Sequence, residues 1–138
     1  MSNHEKIFLF KYPLTVRWQD MDAFNHVNHA NYFIYLQECR IEWLKSHNIF
    51  MDPSSRGPII REISCKYLRP ITYPAQILVE LYFSHRSGRK IIFTQEIRDA
   101  GNPELLYASA VVEVVWINFI TGRSIPEPEE YRHIVAPL

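Results

Sequence analysis

The pattern over residues 29–47 constrains the fold most, because it describes a helix that is apolar around most of its circumference. Asn28 stands directly before this pattern as a candidate N-cap. Gln37 and Arg40 interrupt the apolar part, and we expect both to find polar partners. A helix of this composition has to be enclosed by other elements rather than laid on a surface.

Strand patterns account for most of the remaining chain. Alternating apolar residues predict a first strand over residues 8–18, in which Pro13 marks an edge position or a bulge. Further strands, joined mostly by short hairpins, are predicted over residues 59–69, 76–85, 90–98 and 105–119. The alternation predicts one shared face for Ile77, Val79, Leu81 and Phe83, and one for Ile91, Phe93 and Ile97. The last of these is almost continuously apolar, which is typical of a central strand covered on both faces. The expected fold class is α+β, an antiparallel five-stranded sheet wrapped around one long helix.

Arg61 is the exception within the strand predicted over residues 59–69. The apolar face of that strand is expected to comprise Ile59, Ile63, Cys65 and Tyr67. A guanidinium on this face needs an anionic partner. We expect an ion pair with Glu38 or Glu42, in preference to a contact with a carboxylate of a bound substrate.

Length, charge and cysteine content narrow the protein class. The 138 residues fit one domain over 1–138, and the net charge of zero gives no indication of a nucleic-acid or membrane partner. No apolar run approaches the roughly 18 residues of a membrane span, and the first ten residues do not have the pattern of a signal peptide. Cys39 and Cys65 have no metal-binding spacing, so we expect buried thiols in a reducing cytoplasm.

Polar side chains crowd the stretch DMDAFNHVNHANY, residues 20–32, just before the helix pattern. The first-turn N–H groups, from His29 to Asn31, lack intrahelical acceptors and favour negative charge in front of them. Asp22 beside such donors is the minimum for attack on an acyl carbonyl, either as a nucleophile or by activating water. His26 and Asn28 could orient the substrate, the water or the carboxylate. The alternative is that these residues only cap the helix.

A metal site is not expected at this position. His26 and His29 are three residues apart, but no third ligand of suitable spacing follows, and the sequence contains no HEXXH motif. No metal and no cofactor are therefore predicted.

The segment RWQDMDAFNHVNHANY, followed by LQECRIEWL, resembles the signature of hotdog-fold acyl-CoA thioesterases of the 4-hydroxybenzoyl-CoA thioesterase type. Further similar segments are KYLRPITY, AVVEVV and TGRSIPEP, so the resemblance covers nearly the full length. It implies a sheet wrapped around the helix, in protomers that pair edge to edge as a homodimer or homotetramer with active sites at the subunit interface.

The resemblance also implies residue roles. The catalytic carboxylate corresponds to Asp22, Asp20 is expected to be structural at the strand end, and Tyr32 is expected to line the site. This sequence departs from the family pattern at two positions. Asn25 replaces a usual Gly, and it can adopt the left-handed backbone conformation that the turn needs. His29 replaces a common Asn, and its backbone N–H still serves an oxyanion role.

The implied substrate is an acyl-CoA, which is hydrolysed to a free acid and CoA; an acyl carrier protein is a possible alternative donor. The phosphates of CoA need cations near the site. The hairpin SHRSGRK supplies His85, Arg86, Arg89 and Lys90, of which the resemblance favours Arg89 and Lys90. Weaker candidates are Arg56, Lys66 and Arg69. The alternative functions are an enoyl-CoA hydratase and a non-catalytic acyl-CoA binding domain.

Overall fold

A computed structural model describes residues 6–135. The elements in chain order are β1 (Ile7–Thr15), one turn of 3₁₀ helix (Trp18–Asp20), α1 (His29–Ser46), β2 (Arg56–Tyr67), β3 (Gln76–Ser87), β4 (Lys90–Asp99), β5 (Leu106–Asn118), β6 (Ser124–Ile125) and α2 (Glu129–Val135). The strands form one antiparallel sheet in the order β1-β3-β4-β5-β2, and β6 pairs with β5. The predicted α+β class and the antiparallel sheet around a long helix are confirmed, with β6 as a sixth strand.

Two predictions concern chain ends that lie partly outside the described residues. The first is that the first ten residues lack a signal-peptide pattern, and the second is that one domain covers 1–138. Both include residues 1–5 or 136–138, which the structure does not describe. Among residues 6–135, no helix combines the length and the apolar character that crossing a bilayer requires. In the same range, no three His, Cys, Asp or Glu side chains come together as a possible metal site.

The helix α1 begins where the sequence predicts. Asn28 caps it, since the side-chain oxygen Oδ1 accepts a hydrogen bond of 3.0 Å from the Ala30 N–H. The buried side chains of α1 are Tyr32, Tyr35, Leu36, Cys39, Trp43 and Leu44. On the opposite face, Ile34 and Ile41 are 44% and 38% exposed, so the expectation of an enclosed helix is wrong for the single chain. Among the described elements, α1 lies closest to β1 and β3, and the side of the helix that carries Ile34 and Ile41 is left partly uncovered.

The polar residues within α1 behave differently from one another. The Arg40 Nη1 group donates to Gln95 Oε1 at 2.8 Å, and the fully buried Gln95 donates in turn to the Leu36 carbonyl at 3.1 Å. The predicted polar partner of Arg40 is therefore confirmed. The Gln37 side chain is exposed and makes no hydrogen bond with any residue in the described range, so the prediction is wrong there.

The inner faces of β3 and β4 form the centre of the core as predicted. Their buried apolar residues are Ile77, Val79, Leu81, Phe83, Ile91, Phe93 and Ile97. The strand β5 is central, between β4 and β2, but Val111 on its outer face is 46% exposed. The prediction that β5 is covered on both faces is therefore wrong within residues 6–135, since both helices pack on the inner side.

A bulge in β2 overturns two predictions. The register of β2 with β5 shifts between Ile60 and Glu62, which makes Arg61 the extra residue. A bulge reverses the alternation of faces. Ile60, opposite the buried Val114, therefore shares the inner face with Ile63, and Ile59 faces the other side.

Arg61 itself is exposed and forms no ion pair with any residue of the described chain. Of its predicted partners, Glu42 pairs with Lys45 at 3.2 Å instead, and Glu38 forms no ion pair within residues 6–135. The buried ion pair expected for Arg61 is thus wrong, because the bulge turns this side chain out of the sheet face.

The strand β1 is an edge strand, as Pro13 predicts, but it ends at Thr15 rather than at residue 18. The 3₁₀ turn Trp18–Asp20 follows it and leads the chain toward α1. The register irregularity lies between Phe8 and Phe10, away from Pro13.

The Pro- and Glu-rich segment after β5, where the sequence patterns predict no element, contains β6 and α2. Tyr131 of α2 is buried and packs edge to face against Trp43 and Trp116, with ring centroids 5.8 Å and 5.0 Å away. These contacts close the end of the core beside the C-terminal half of α1.

Of the two cysteines, Cys39 is fully buried as predicted, and Cys65 is half-buried. Both are free thiols.

Candidate functional site

Asp20 anchors the turn that precedes α1. Its buried carboxylate accepts hydrogen bonds from the Tyr35 hydroxyl at 2.6 Å and from the Arg17 N–H at 3.0 Å. Its main-chain carbonyl accepts from the Asn28 N–H at 2.8 Å and from the Asn31 side-chain amide at 3.0 Å. These bonds agree with the structural role expected for Asp20 and fix where the helix begins.

Asp22 lies in the turn that Asp20 anchors. Its side-chain oxygen Oδ1 accepts from the Phe24 N–H at 2.8 Å and from the His26 N–H at 3.3 Å, and its own N–H donates to the His26 carbonyl at 2.7 Å. The turn closes because Asn25 takes a left-handed conformation with φ of 60°, as predicted. One carboxylate oxygen therefore holds the turn. The other, Oδ2, has no hydrogen bond within residues 6–135.

The half-buried Asp22 side chain faces a cleft of about 380 Å³. The other residues that line the cleft are His26, Val27, His29, Tyr32, Tyr67, Leu68, Arg69 and Pro70. Asp22, His26, His29 and Tyr32 of the predicted site are thus brought together. Asn28 is exposed beside them, with its Oδ1 occupied as the helix cap.

Aromatic rings form one wall of the cleft. Tyr32, only 3% exposed, packs edge to face on Tyr67 at 4.9 Å between ring centroids, and His29 lies 6.1 Å from the same ring. The Tyr67 hydroxyl donates to the His29 carbonyl at 3.3 Å. Burial raises the pKa of both tyrosines above the ordinary value, so both phenols stay protonated at neutral pH.

The donors available at the helix start are fewer than the sequence suggests. The Ala30 N–H is taken by Asn28 Oδ1 at 3.0 Å, and the Asn31 N–H is taken by the Asn28 carbonyl at 2.8 Å. Only the His29 N–H, among these first-turn groups, has no acceptor within the described chain. The expected cluster of oxyanion donors therefore reduces to this one N–H, supported by the positive end of the helix dipole.

The basic hairpin between β3 and β4 is remote from Asp22 within one chain. The Asp22 turn lies near the start of β3, where the Val16 N–H donates to the Ala75 carbonyl at 3.0 Å. The hairpin lies at the far end of β3, and a strand of this length spans roughly 36 Å. One protomer cannot bring the Arg89 and Lys90 side chains to its own Asp22.

The hairpin cations also have partners already. Arg86 Nε pairs with Glu127 Oε1 at 2.6 Å, and Lys90 Nζ lies 3.7 Å from Glu113 Oε1. Arg89 donates to the Ser124 carbonyl and to the Ser124 hydroxyl. A phosphate would have to compete with these groups, so phosphate binding by Arg86, Arg89 and Lys90 stays a prediction.

Two residues of the cleft have a larger part in it than the sequence indicates. The sequence makes Arg69 only a weak candidate for phosphate binding, yet this residue lines the Asp22 cleft and forms no ion pair with the residues described. Tyr67 was noted only as an apolar strand residue, although it contacts both His29 and Tyr32. The signal was present in the segment KYLRPITY, which carries both residues. Of the other weak candidates, Arg56 pairs with Glu130 at 3.6 Å.

Comparisons with known proteins identify the family of this chain. Residues 16–135 match the family model described as the thioesterase-like superfamily. The acyl-CoA thioester hydrolase YbgC of Escherichia coli O6:H1 is 25% identical over 122 residues, covering 86% of this chain and 91% of YbgC. The solved structure of the PA2801 protein of Pseudomonas aeruginosa is 30% identical, with a TM-score of 0.88 over 94% of this chain and 99% of that one. The solved structure of the XC229 protein of Xanthomonas campestris is 32% identical, with a TM-score of 0.77 over 87% of this chain and 99% of that one.

The family match spans most of the chain, and the matched structures share its sheet and its long helix. Both the resemblance and the fold predicted from the sequence are thus confirmed. The chain belongs to the thioesterase-like superfamily and has the hotdog fold of that family.

Proposed function

We propose that this protein hydrolyses an acyl-CoA thioester to a free acid and CoA, with Asp22 as nucleophile or general base. The observation that carries the proposal is the state of the Asp22 carboxylate. One oxygen is fixed by two backbone N–H groups, the other is unpaired within the described residues, and Asp22 lines the same cleft as His29, whose N–H has no acceptor in that range. A family in which YbgC is named an acyl-CoA thioester hydrolase supports the same chemistry.

The reaction can follow two routes. As a general base, Asp22 takes a proton from a water molecule while the water oxygen attacks the thioester carbonyl. As a nucleophile, Asp22 attacks the carbonyl itself and forms an anhydride, which water then hydrolyses. In both routes the C–S bond breaks and CoA leaves as a thiolate that takes up a proton. The His29 N–H donates to the oxyanion that forms in between. Neither route requires a cofactor.

The edge of β2 supports a homodimer, or a homotetramer built from such dimers. This strand of 12 residues pairs only with β5 among the described strands, so one edge carries unpaired main-chain groups. Long free edges favour pairing with another chain. Antiparallel pairing of β2 with its copy would invert the partner's sheet. The basic hairpin of the partner would then lie at the same end as Asp22, where Arg89 and Lys90 of the partner, together with Arg69, could bind CoA phosphates.

Sedimentation equilibrium tests this assembly. A dimer or tetramer is expected at micromolar concentrations, and a strictly monomeric protein would leave the hairpin cations with no route to the site. The free thiols of Cys39 and Cys65 support a location in a reducing compartment, the cytoplasm.

The catalytic role of Asp22 is tested with Asp22→Asn and Asp22→Ala on a panel of short, medium, long and aryl acyl-CoA thioesters. Asparagine keeps a side-chain oxygen that accepts from the Phe24 and His26 N–H groups, so it preserves the turn while removing the charge. We expect kcat/KM to fall by about 10²- to 10⁴-fold. Asp52→Asn is the matched control, because Asp52 is an exposed acid that also accepts from a backbone N–H two residues later.

Unchanged hydrolysis in both Asp22 variants would remove this residue from the mechanism. Binding of acyl-CoA without turnover by the unmodified protein would assign a non-catalytic binding domain instead. Single-turnover hydrolysis in ¹⁸O-water separates the two routes. Label in the Asp22 carboxylate establishes the nucleophile, because it requires water to open the anhydride at the Asp22 carbonyl, whereas the general-base route never labels Asp22.

A further inference from the structure

A second cavity lies between α1 and the β2 side of the sheet, at the other end of the helix from Asp22. It has a volume of about 170 Å³, and its lining includes Arg40, Ile41, Ile60, Phe93 and Val114. It lies where α1, which is closest to β1 and β3, stands away from the N-terminal half of β2 and the part of β5 that faces it. The bulge in β2 contributes as well, since it places Ile60 on the inner face opposite Val114.

Arg40 is the unusual residue of this cavity. The only hydrogen bond of its side chain within residues 6–135 goes to the neutral Gln95 side chain, at 2.8 Å, and no carboxylate of that range lies within ion-pair distance. The half-buried Arg86 and Arg98, by contrast, each pair with a glutamate. Burial lowers the pKa of Arg40, which reflects the cost of holding its charge away from water.

A guanidinium has five N–H donors, and in a largely apolar cavity an unmatched charge is unfavourable. An anion that enters the cavity would satisfy donors that the protein leaves free. Carboxylates match the planar guanidinium best, because they accept two parallel hydrogen bonds from it. The chemistry of the cavity therefore favours a carboxylate attached to a short apolar body.

The proposed dimer connects this cavity to the catalytic cleft. Tyr67 lines the Asp22 cleft at the C-terminal end of β2, whereas Pro58 and Ile60 line the second cavity in the N-terminal half of the same strand. Antiparallel pairing of two β2 strands sets the C-terminal end of one against the N-terminal half of the other. The Asp22 cleft of one subunit then lies beside the Arg40 cavity of its partner.

We propose that the Arg40 cavity binds the far end of the acyl group and that this end carries a carboxylate. The substrate class is then a short dicarboxylic acid joined to CoA through one of its two carboxyl groups. The size fits, because a cavity of about 150 Å³ holds a benzene molecule, which corresponds to an acyl group of about five or six carbons. This inference rests on the proposed thioesterase function and on the β2 dimer.

The first test compares glutaryl-CoA with pentanoyl-CoA, which has the same chain length but no terminal carboxylate. The wild-type protein is expected to prefer glutaryl-CoA by about tenfold to a hundredfold in kcat/KM, because a hydrogen bond between charged groups stabilises binding by that factor. Arg40→Met is expected to abolish the preference, and Arg40→Lys to retain part of it. Arg123→Met is the control, since Arg123 is an exposed cation whose side chain forms no ion pair in the described chain. The preference should be unchanged in this variant.

A second test reads binding without turnover. Calorimetry with free glutarate and with pentanoate is expected to show tighter binding of glutarate to the wild type and to Asp22→Asn, and loss of that difference in Arg40→Met. If both thioesters are hydrolysed equally well and glutarate does not bind, the Arg40 assignment is wrong while the thioesterase proposal stands. If glutarate binds through Arg40 but no thioester is hydrolysed, the thioesterase proposal fails instead. The wild-type preference decides the matter even where an Arg40 variant does not fold.

Discussion

Removing the Tyr35 hydroxyl tests directly how the fold holds the Asp22 turn. Tyr35 and Asp20 are 2% and 4% exposed, and their hydrogen bond is short, at 2.6 Å. Burial, and then the bond to Asp20, raise the pKa of Tyr35 well above its ordinary value, so the phenol remains a donor throughout the neutral range. Tyr35→Phe deletes this donor and leaves the ring in place.

The expected loss of stability in Tyr35→Phe depends on the hydrogen-bond partners that Asp20 retains. A hydrogen bond to a charged group contributes about 1.5–3 kcal/mol. Asp20 retains the Arg17 N–H at 3.0 Å and the Arg17 guanidinium at 3.6 Å, so it is not left without partners. We therefore expect the free energy of unfolding to fall by about 2 kcal/mol, within the range for such bonds. For a chain of this length, that corresponds to a fall in Tm of about 8 °C.

Urea unfolding at pH 7, followed by circular dichroism at one fixed protein concentration, measures the change. Tyr73→Phe is the matched control, because Tyr73 is 43% exposed and makes no hydrogen bond within the described residues. A lower kcat/KM is expected alongside, since the Asp20 carbonyl also holds Asn28 and Asn31. A Tyr35→Phe stability within about 0.5 kcal/mol of the wild type, the usual scatter of surface substitutions, would refute this account of the turn.

Three further outcomes are expected. Burial by itself raises the pKa of Glu96, but hydrogen bonds, first from Arg98, outweigh it and lower the pKa below 4.5. The resulting stabilisation is present above that pH and lost as the pH falls through the folded-state pKa, so Glu96→Gln should flatten the acid side of the stability profile in urea titrations. Burial raises the pKa of Cys39 to about 12, and a disulfide reagent at pH 8 should label Cys65 first and Cys39 only on unfolding. Asn25→Val should destabilise the protein by about 1–2 kcal/mol, whereas Asn25→Gly should not.

Each of these outcomes has a contrary result. An acid profile unchanged by Glu96→Gln would show that the ion pairs of Glu96 with Arg98 and Lys6 do not contribute to stability. Equal labelling rates for the two cysteines in the folded protein would contradict the burial of Cys39. Equal stability of the Asn25→Val and Asn25→Gly variants would mean that the left-handed turn is not required in solution.

Local features were read correctly from the sequence. The Asn28 cap, the start of α1, the inner faces of β3 and β4 and the left-handed Asn25 all follow from patterns a few residues long. Each depends on backbone sterics or on side-chain periodicity, which neighbouring residues determine without reference to the rest of the fold.

Features that depend on distant contacts were not accessible. The bulge at Arg61 reverses the faces of β2, and a change of one residue in register moves every side chain that follows to the other side. The helix α2 is too short to be stable on its own and depends on the packing of Tyr131 against Trp43 and Trp116.

The sequence by itself determined the family, the order of the main elements and the carboxylate at the helix start. Only the tertiary structure decided that Tyr67 and Arg69 join this carboxylate, that the basic hairpin lies at the opposite end of the sheet, and that Arg40 faces a cavity without an anionic partner. The physical reason is that residues far apart in the chain meet only through strand register and helix placement, and these are set by the packing of the whole core.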